Sequence, residues 1–316
     1  MNPRPRIAIS ACLTGEPVRF NGGSKTSHLC LDLLAGHFDF VPVCPEVAIG
    51  LGTPRPAIHL RELHGKTHAV SSHAPHADVS QPLREYAAQQ ARELGDICGY
   101  IFMQRSPSCG LQRVRLHDDN GRLIEASARG LYAEAFCATR PELPVEEEGR
   151  LHDPLLRENF VTRVFACADW QTLCRTGLDR GAIIDFHSRY KYQLLAHNPW
   201  QYTELGRLLA NIGEHDPRDF APRYFAALMR ALQTCATRGT HSNVLQHLAG
   251  YLKRALPAAD QSELQALIDR YRSGSVPLVV PLTLLKHHFL RHPHPYIARQ
   301  TYLRPHPEEL GLRNAI

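Results

Sequence analysis

Three of the nine cysteines stand where a thiol can do chemistry. The apolar run Ile7-Ala8-Ile9-Ser10 leads into Cys12, and Phe38 to Val43 leads into Cys44. Cys98 to Met103 leads into Cys109 through Ser106-Pro107-Ser108. Gly15 and Pro17 follow the first thiol, Pro45, Gly50 and Gly52 the second, and Gly110 the third. Proline and glycine interrupt regular backbone, so each thiol sits in a loop just beyond a candidate buried strand. Thiols so placed can hold an iron–sulfur cluster, bind zinc, or act as a nucleophile beside a base. They can also be small core residues, the commoner fate of a free cysteine. No C-x-x-C or H-E-x-x-H spacing is present to favour zinc. A carboxylate, Glu46, lies two residues after Cys44. It could serve as an acid or base, or cap a helix beginning at Pro45.

The elements that must carry these loops alternate between strand and helix. Strands are expected at 5–10, 38–43 and 96–103. Helices are expected at 27–34, 81–94, where Leu83, Tyr86, Ala87, Ala91 and Leu94 recur at helical spacing, and 130–137. Segments 57–62, 66–70, 114–116 and 123–124 read as further short strands. This pattern predicts an α/β, three-layer-like N-terminal domain with a mainly parallel sheet. Ligands of open α/β sheets bind beyond the carboxyl ends of the strands, which would bring the three thiols into one pocket.

A Pro- and Glu-rich stretch at 141–153 reads as a linker between a domain at 1–140 and a second at 154–316. The second carries helical periodicity almost throughout and is expected to be all-α. Its exception is the Pro-punctuated run 276–285, either a bent core helix or a buried extended segment. Hydrophobic content of 43% and charged content of 21% are ordinary for a globular chain of 316 residues. No apolar run reaches membrane-spanning length, so a cytoplasmic protein without membrane contact is expected. Disulfides are then not expected. Cys30, Cys98, Cys137, Cys167, Cys174 and Cys235 read as core. Net charge is −1 over residues 1–150 and +6 over the remainder, which also holds 11 of the 19 histidines. The second domain is thus the better candidate to meet an anion.

Three motifs, SACLTGEPVRFNGG (10–23), PVCPEVAIGLGTPRPAIHL (42–60) and SPSCG (106–110), resemble the thiouracil desulfidase (TudS) family. The resemblance covers the whole first domain. It implies a 4Fe-4S cluster with Cys12, Cys44 and Cys109 as its three ligands and one open iron that takes sulfur from a thiolated uracil. It also places a catalytic serine at Ser106, and Glu46 becomes the candidate acid/base for the attacking water. Arg19, Asn21, Gly22, Gly23, Arg55 and Ser108 are the candidate substrate-pocket residues.

In the second domain FHSRYKYQLLAH (186–197), HSNVLQHLAGYLKR (241–254), VPLVVPLTLLKHH (276–288) and QTYLRPHPEELGLRN (300–314) resemble the YbgA-type domain. The fused architecture resembles the tRNA thiouridine desulfidases (RudS), which implies 4-thiouridine in tRNA as substrate and no evident protein partner. Arg189, Tyr190, Lys191, His241, Asn243, Lys253, Arg254 and Lys286 are the candidate tRNA contacts, by charge and by stacking. The expected activity is non-redox desulfidation of tRNA. The alternatives are a desulfidase of free thiouracil or thiouridine nucleotides, and a cluster-bearing RNA-binding regulator without catalysis.

Overall fold

The computed structural model describes residues 4–73 and 77–316, which fall into two compact units, up to His152 and from Asp153 onward. In the first unit Ile7, Ala8 and Ile9 are fully buried, so β1 (Arg6–Ser10) is apolar on both faces and belongs in the middle of a sheet. Its neighbour β2 (Asp39–Val43) pairs in parallel and contains Pro42, which an edge strand tolerates because its outer side needs no donor.

A second layer grows from the next hairpin, β3 (Ile58–Leu63) and β4 (Lys66–Ser71). β5 (Gly99–Phe102), also buried throughout, returns to the first sheet on the other side of β1. β6 (Val114–His117) pairs in parallel with β3 and antiparallel with β7 (Leu123–Ala128). β8 (Val145–Glu147) closes the first sheet beside β5. The result is an all-parallel sheet, β2-β1-β5-β8, and a mixed sheet, β4-β3-β6-β7.

The α/β, mainly parallel expectation holds for the thiol-bearing strands. The short strands expected at 57–62, 66–70, 114–116 and 123–124 form a sheet of their own. The stretch 141–153, expected as a linker, instead supplies β8 and a 3-10 turn at Glu148–His152. Its backbone completes the ladder of β5, and its charged composition disguised this. Glu147 is fully buried, with its carboxylate accepting from Leu111 N and Gln112 N.

Three helices flank the sheets: the single turn α1 (Pro45–Ala48), α2 (Ser80–Glu93) and α3 (Leu131–Thr139). α2 buries Leu83, Ala87 and Ala91 at helical spacing, as the sequence predicts. Tyr100 and Phe102 of β5 stack at 3.8 Å and meet Tyr132 and Phe136 of α3, fixing α3 beside the strand that leads to Cys109. Residues 29–34 form one π-helical turn.

The second unit is helical, as predicted: α4 (Pro154–Thr176), α5 (Arg180–His197), α6 (Pro199–Ala210), α7 (Pro217–Gln233), α8 (Arg238–Leu252), α9 (Ala258–Arg272), α10 (Val279–Arg291) and α11 (Pro295–Ala298). Asp153, Asn198 and Asp216 cap helices whose first residue is proline, a pairing that marks the starts of α4, α6 and α7. The run 276–285 resolves as the start of helix α10, with Pro281 inside its first turn, where its missing N–H costs nothing. The buried Glu158 is bonded by Arg313 at 3.2 Å. No helix among the described residues is long and apolar enough to cross a membrane.

Candidate active site and metal centre

The three thiols converge. Cys12 lies in a 3-10 turn directly after β1, Cys44 directly after β2, and Cys109 beyond β5. β1 is hydrogen-bonded to both other strands in parallel, so three carboxyl ends open on the same side. All three cysteines line one cavity of about 380 Å³, within the range of small-molecule sites. None is in a disulfide.

Each loop is tied down. Lys25 N donates to Cys12 O at 2.9 Å, and Arg55 N to Phe20 O at 2.8 Å, which folds the Arg19–Gly23 turn back over the site. The Ser106–Gly110 loop is held by the start of α3. Leu131 N donates to Pro107 O, Ala133 N to Ser108 O and Gly130 N to Gly110 O. This approach is so close that a Cβ on Gly130 would lie 2.6 Å from the Ser108 carbonyl.

Burial pushes the Cys12 thiol up to about 11, and the neighbouring Cys44 adds to the rise. Cys44 and Cys109 are also raised, again mainly by burial, and Glu46 raises both. Arg19 partly offsets the effect on Cys12. Three mutually repelling thiolates in a low-dielectric pocket need a cationic centre to be stable. Among the described residues no three His, Cys, Asp or Glu side chains close on a single metal ion. An all-sulfur donor set at one cavity is the kind that holds an iron–sulfur cluster.

Glu46, in the first turn of α1, turns its carboxylate to side chains of other segments rather than to the helix N-terminus. Its Oε2 accepts from Arg55 Nε at 2.9 Å and Nη2 at 2.7 Å. Its Oε1 accepts from Ser108 Oγ at 2.6 Å. The Arg55 side chain is 3% exposed and that of Glu46 13%. Ser106 Oγ lies 2.9 Å from Ser108 Oγ while accepting from Cys109 N at 3.1 Å and Ser108 N at 3.3 Å. With both backbone N–H groups donating to it, the Ser106 hydroxyl is free to donate to Ser108. A continuous run of hydrogen bonds therefore joins Ser106, Ser108, Glu46 and Arg55 along one wall of the cavity.

Other sequence-selected residues fall less centrally. Arg19 lines the cavity. Asn21, Gly22 and Gly23 are not part of the lining. They form the turn that presents Arg19, with Asn21 Oδ1 accepting from Gly23 N and Gly22 at φ +77°. Sequence reasoning missed Lys25 and Phe20, both in the lining, and Phe20 keeps an exposed ring beside Arg19. The motif SACLTGEPVRFNGG contains Phe20 and Lys25 follows it closely, so the signal was at hand.

In the second unit the candidate tRNA contacts separate by environment. Tyr190 is buried, and its hydroxyl donates to Asp169 at 3.1 Å, so it cannot stack on a base. His241 is buried against Tyr302, with Nδ1 2.9 Å from the phenol oxygen. Arg189 is paired with Asp169 and Asp185, and Lys286 with Glu308. The Lys191 ammonium lies 5.3 Å from the ring centre of Tyr192. Asn243, Lys253 and Arg254 are exposed. Of the cysteines read as core, Cys174 is exposed and Cys137 and Cys235 are half-buried.

The 2-thiouracil desulfurase family matches residues 7–148, and the family described as a protein of unknown function, DUF1722, matches residues 191–307. The uncharacterised protein YbgA of Escherichia coli (strain K12) is 34% identical over 159 residues, which are 50% of this chain and 94% of that protein. A solved structure of a [4Fe-4S]-dependent thiouracil desulfidase, TudS, is 32% identical, spans 48% of this chain and 95% of its own, and superposes with a TM-score of 0.36. The chain belongs to the YbgA family, and joins a 2-thiouracil desulfurase domain of the TudS type to a YbgA-type domain.

Proposed function

We propose that the first unit is an iron–sulfur-dependent desulfidase that removes the exocyclic sulfur of a thiolated uracil, and that the physiological substrate is 4-thiouridine in tRNA. The observation that carries the reading is the Ser106–Ser108–Glu46–Arg55 run along the wall of a cavity that also holds three thiols. Cys12, Cys44 and Cys109 would hold a 4Fe-4S cluster, and with three protein ligands it would offer one open, Lewis-acidic iron to the sulfur of the substrate.

The protein's own residues supply the rest. Phe20 offers a face on which the pyrimidine can stack. Glu46 takes the proton of the water that attacks the ring carbon. Arg55 fixes the orientation of that carboxylate with two N–H donors to one oxygen, so that Oε1 points to Ser108. The serine pair carries a proton between Glu46 and the open cavity, where the ring nitrogen or the leaving sulfide needs one. Water supplies the oxygen of the product and sulfide leaves, so no net electron transfer is required.

The cavity volume suits a single base, which keeps free thiouracil or a thiouridine nucleotide as a second reading. Anaerobic reconstitution with iron and sulfide, visible spectroscopy, and sulfide release from thiolated tRNA and from free thiouracil decide between them. Wild-type protein is expected to show cluster absorbance and to act on the tRNA. Glu46→Gln should keep the absorbance and lose on the order of 10²-fold or more in turnover. Full cluster assembly by Cys44→Ala would overturn the ligand set. Turnover of the free base alone would overturn the tRNA assignment.

A further inference from the structure

Next to the cavity runs a second, more open groove of about 610 Å³ on the mixed sheet. Ile58, Arg105 and Pro107 line both, so the two are continuous. The register of β3 and β6 pairs Leu60 with Leu116 and Arg61 with His117. Leu60 and Leu116 face the core, so His59, Arg61, Arg115 and His117 share the opposite face. Arg105 and Arg113 add to it from the ends of the loop that carries Ser106 and Cys109.

The charged residues lining the groove are all basic, with no Asp or Glu among them. Arg105 and Arg115 have no carboxylate within ion-pair distance among the described residues. Arg113 reaches only 4.0 Å from Glu147 and keeps half its side chain exposed. Arg105 and Arg113 both adopt left-handed backbone, at φ +58°, a conformation that an arginine rarely takes. Such strain is characteristic of functional loops. The rings of His59 and His117 meet edge to face at 6.4 Å on the same surface.

A basic groove in which Arg105 and Arg115 lack a carboxylate partner and Arg113 is only loosely paired with Glu147, beside a cavity sized for one base, matches a chain of phosphates whose base has left the strand. We propose that this groove binds the phosphodiester backbone of the RNA that flanks the base in the cavity, with Arg113 and Arg115 as its principal contacts. The inference rests on the desulfidase reading for which base enters the cavity. It moves part of the RNA recognition onto the catalytic unit, where net charge gave no hint of it. A nucleotide's own phosphate shares this chemistry but would occupy one position only.

The test needs no turnover. The full chain is titrated with an unmodified single-stranded RNA of about twelve nucleotides and with uridine 5′-monophosphate, over a range of salt. Arg113→Ala/Arg115→Ala should weaken the oligonucleotide on the order of ten-fold or more at low salt and reduce its log–log salt slope by about 1.4, for two lost contacts. Monophosphate affinity should move far less. Arg113→Lys/Arg115→Lys should restore much of the RNA affinity, which a merely structural role would not do, and circular dichroism shows whether each variant is folded. Unchanged oligonucleotide affinity and slope would overturn the proposal. Equal losses for oligonucleotide and monophosphate would also overturn it, assigning a single-phosphate site instead. Because the probe carries no thiolated base, either result is independent of whether desulfidation occurs.

Discussion

Ser108 Oγ donates to Glu46 Oε1 at 2.6 Å, joining the Ser106–Gly110 loop to α1 across 62 residues of chain. Ser108 is 1% exposed and Ser106 half-buried; both line the cavity, and Ser106 is linked to Glu46 through Ser108. Sequence resemblance points to Ser106 as the catalytic serine. The geometry makes Ser108 the residue on which its connection depends.

Ser108→Ala should therefore cut turnover about 10²-fold, the usual worth of one acid–base element, while the cluster still assembles. Comparing sulfide release with cluster absorbance in the same preparation checks this. Full turnover in Ser108→Ala would show that Ser106 and Glu46 act separately.

Gly130→Ala tests the support beneath that loop. A methyl group there meets the Ser108 carbonyl carbon and oxygen at 2.6 Å, and both are backbone atoms that cannot swing aside. The expected result is a loss of stability of about 1–3 kcal/mol and poorer iron retention. Thermal unfolding and iron content per chain measure the two effects.

Acid should destabilise the second unit. Burial holds His187 down to about 4 and His241 to about 3, against an ordinary value near 6.5. His197 is also lowered by burial. The unfolded chain therefore binds more protons than the folded one between these values, so this stability is complete above about pH 6.5 and is lost as pH falls toward 3. Burial would raise Glu158, but His306 and Arg313 outweigh it and hold the carboxyl well below its usual range. Its contribution is therefore lost at still lower pH. Unfolding curves at pH 8, 6 and 4 should show the decline, and His241→Gln should flatten it.

The thiol centre was legible because parallel strands place their carboxyl ends together, a relation that needs no knowledge of distant pairing. Glu46 was legible as a candidate, but its partner was not. Arg55 and Ser108 reach it across nine and 62 residues of chain, and only the fold brings them there. The four strands of the mixed sheet were legible, but their assembly into a separate sheet was not, because β3 pairs with β6 across α2 and β5, a contact only the fold makes. Tyr190 and His241 were misplaced for a different reason. Aromatic and basic residues interleaved on a helix look alike whether the aromatics face a base or the core. The Asp-Pro and Asn-Pro pairs that open α4, α6 and α7 were a usable signal for the second unit.

β8 bears on where the chain can be divided. A fragment ending at residue 140 would leave β5, buried along its whole length, as a bare sheet edge ready to pair with another molecule. It would also remove the Glu147 carboxylate that anchors Leu111 and Gln112, just beyond Cys109. Such a fragment would be prone to aggregate and would hold its third thiol loosely, whereas one extended through His152 would retain both the edge strand and the anchor.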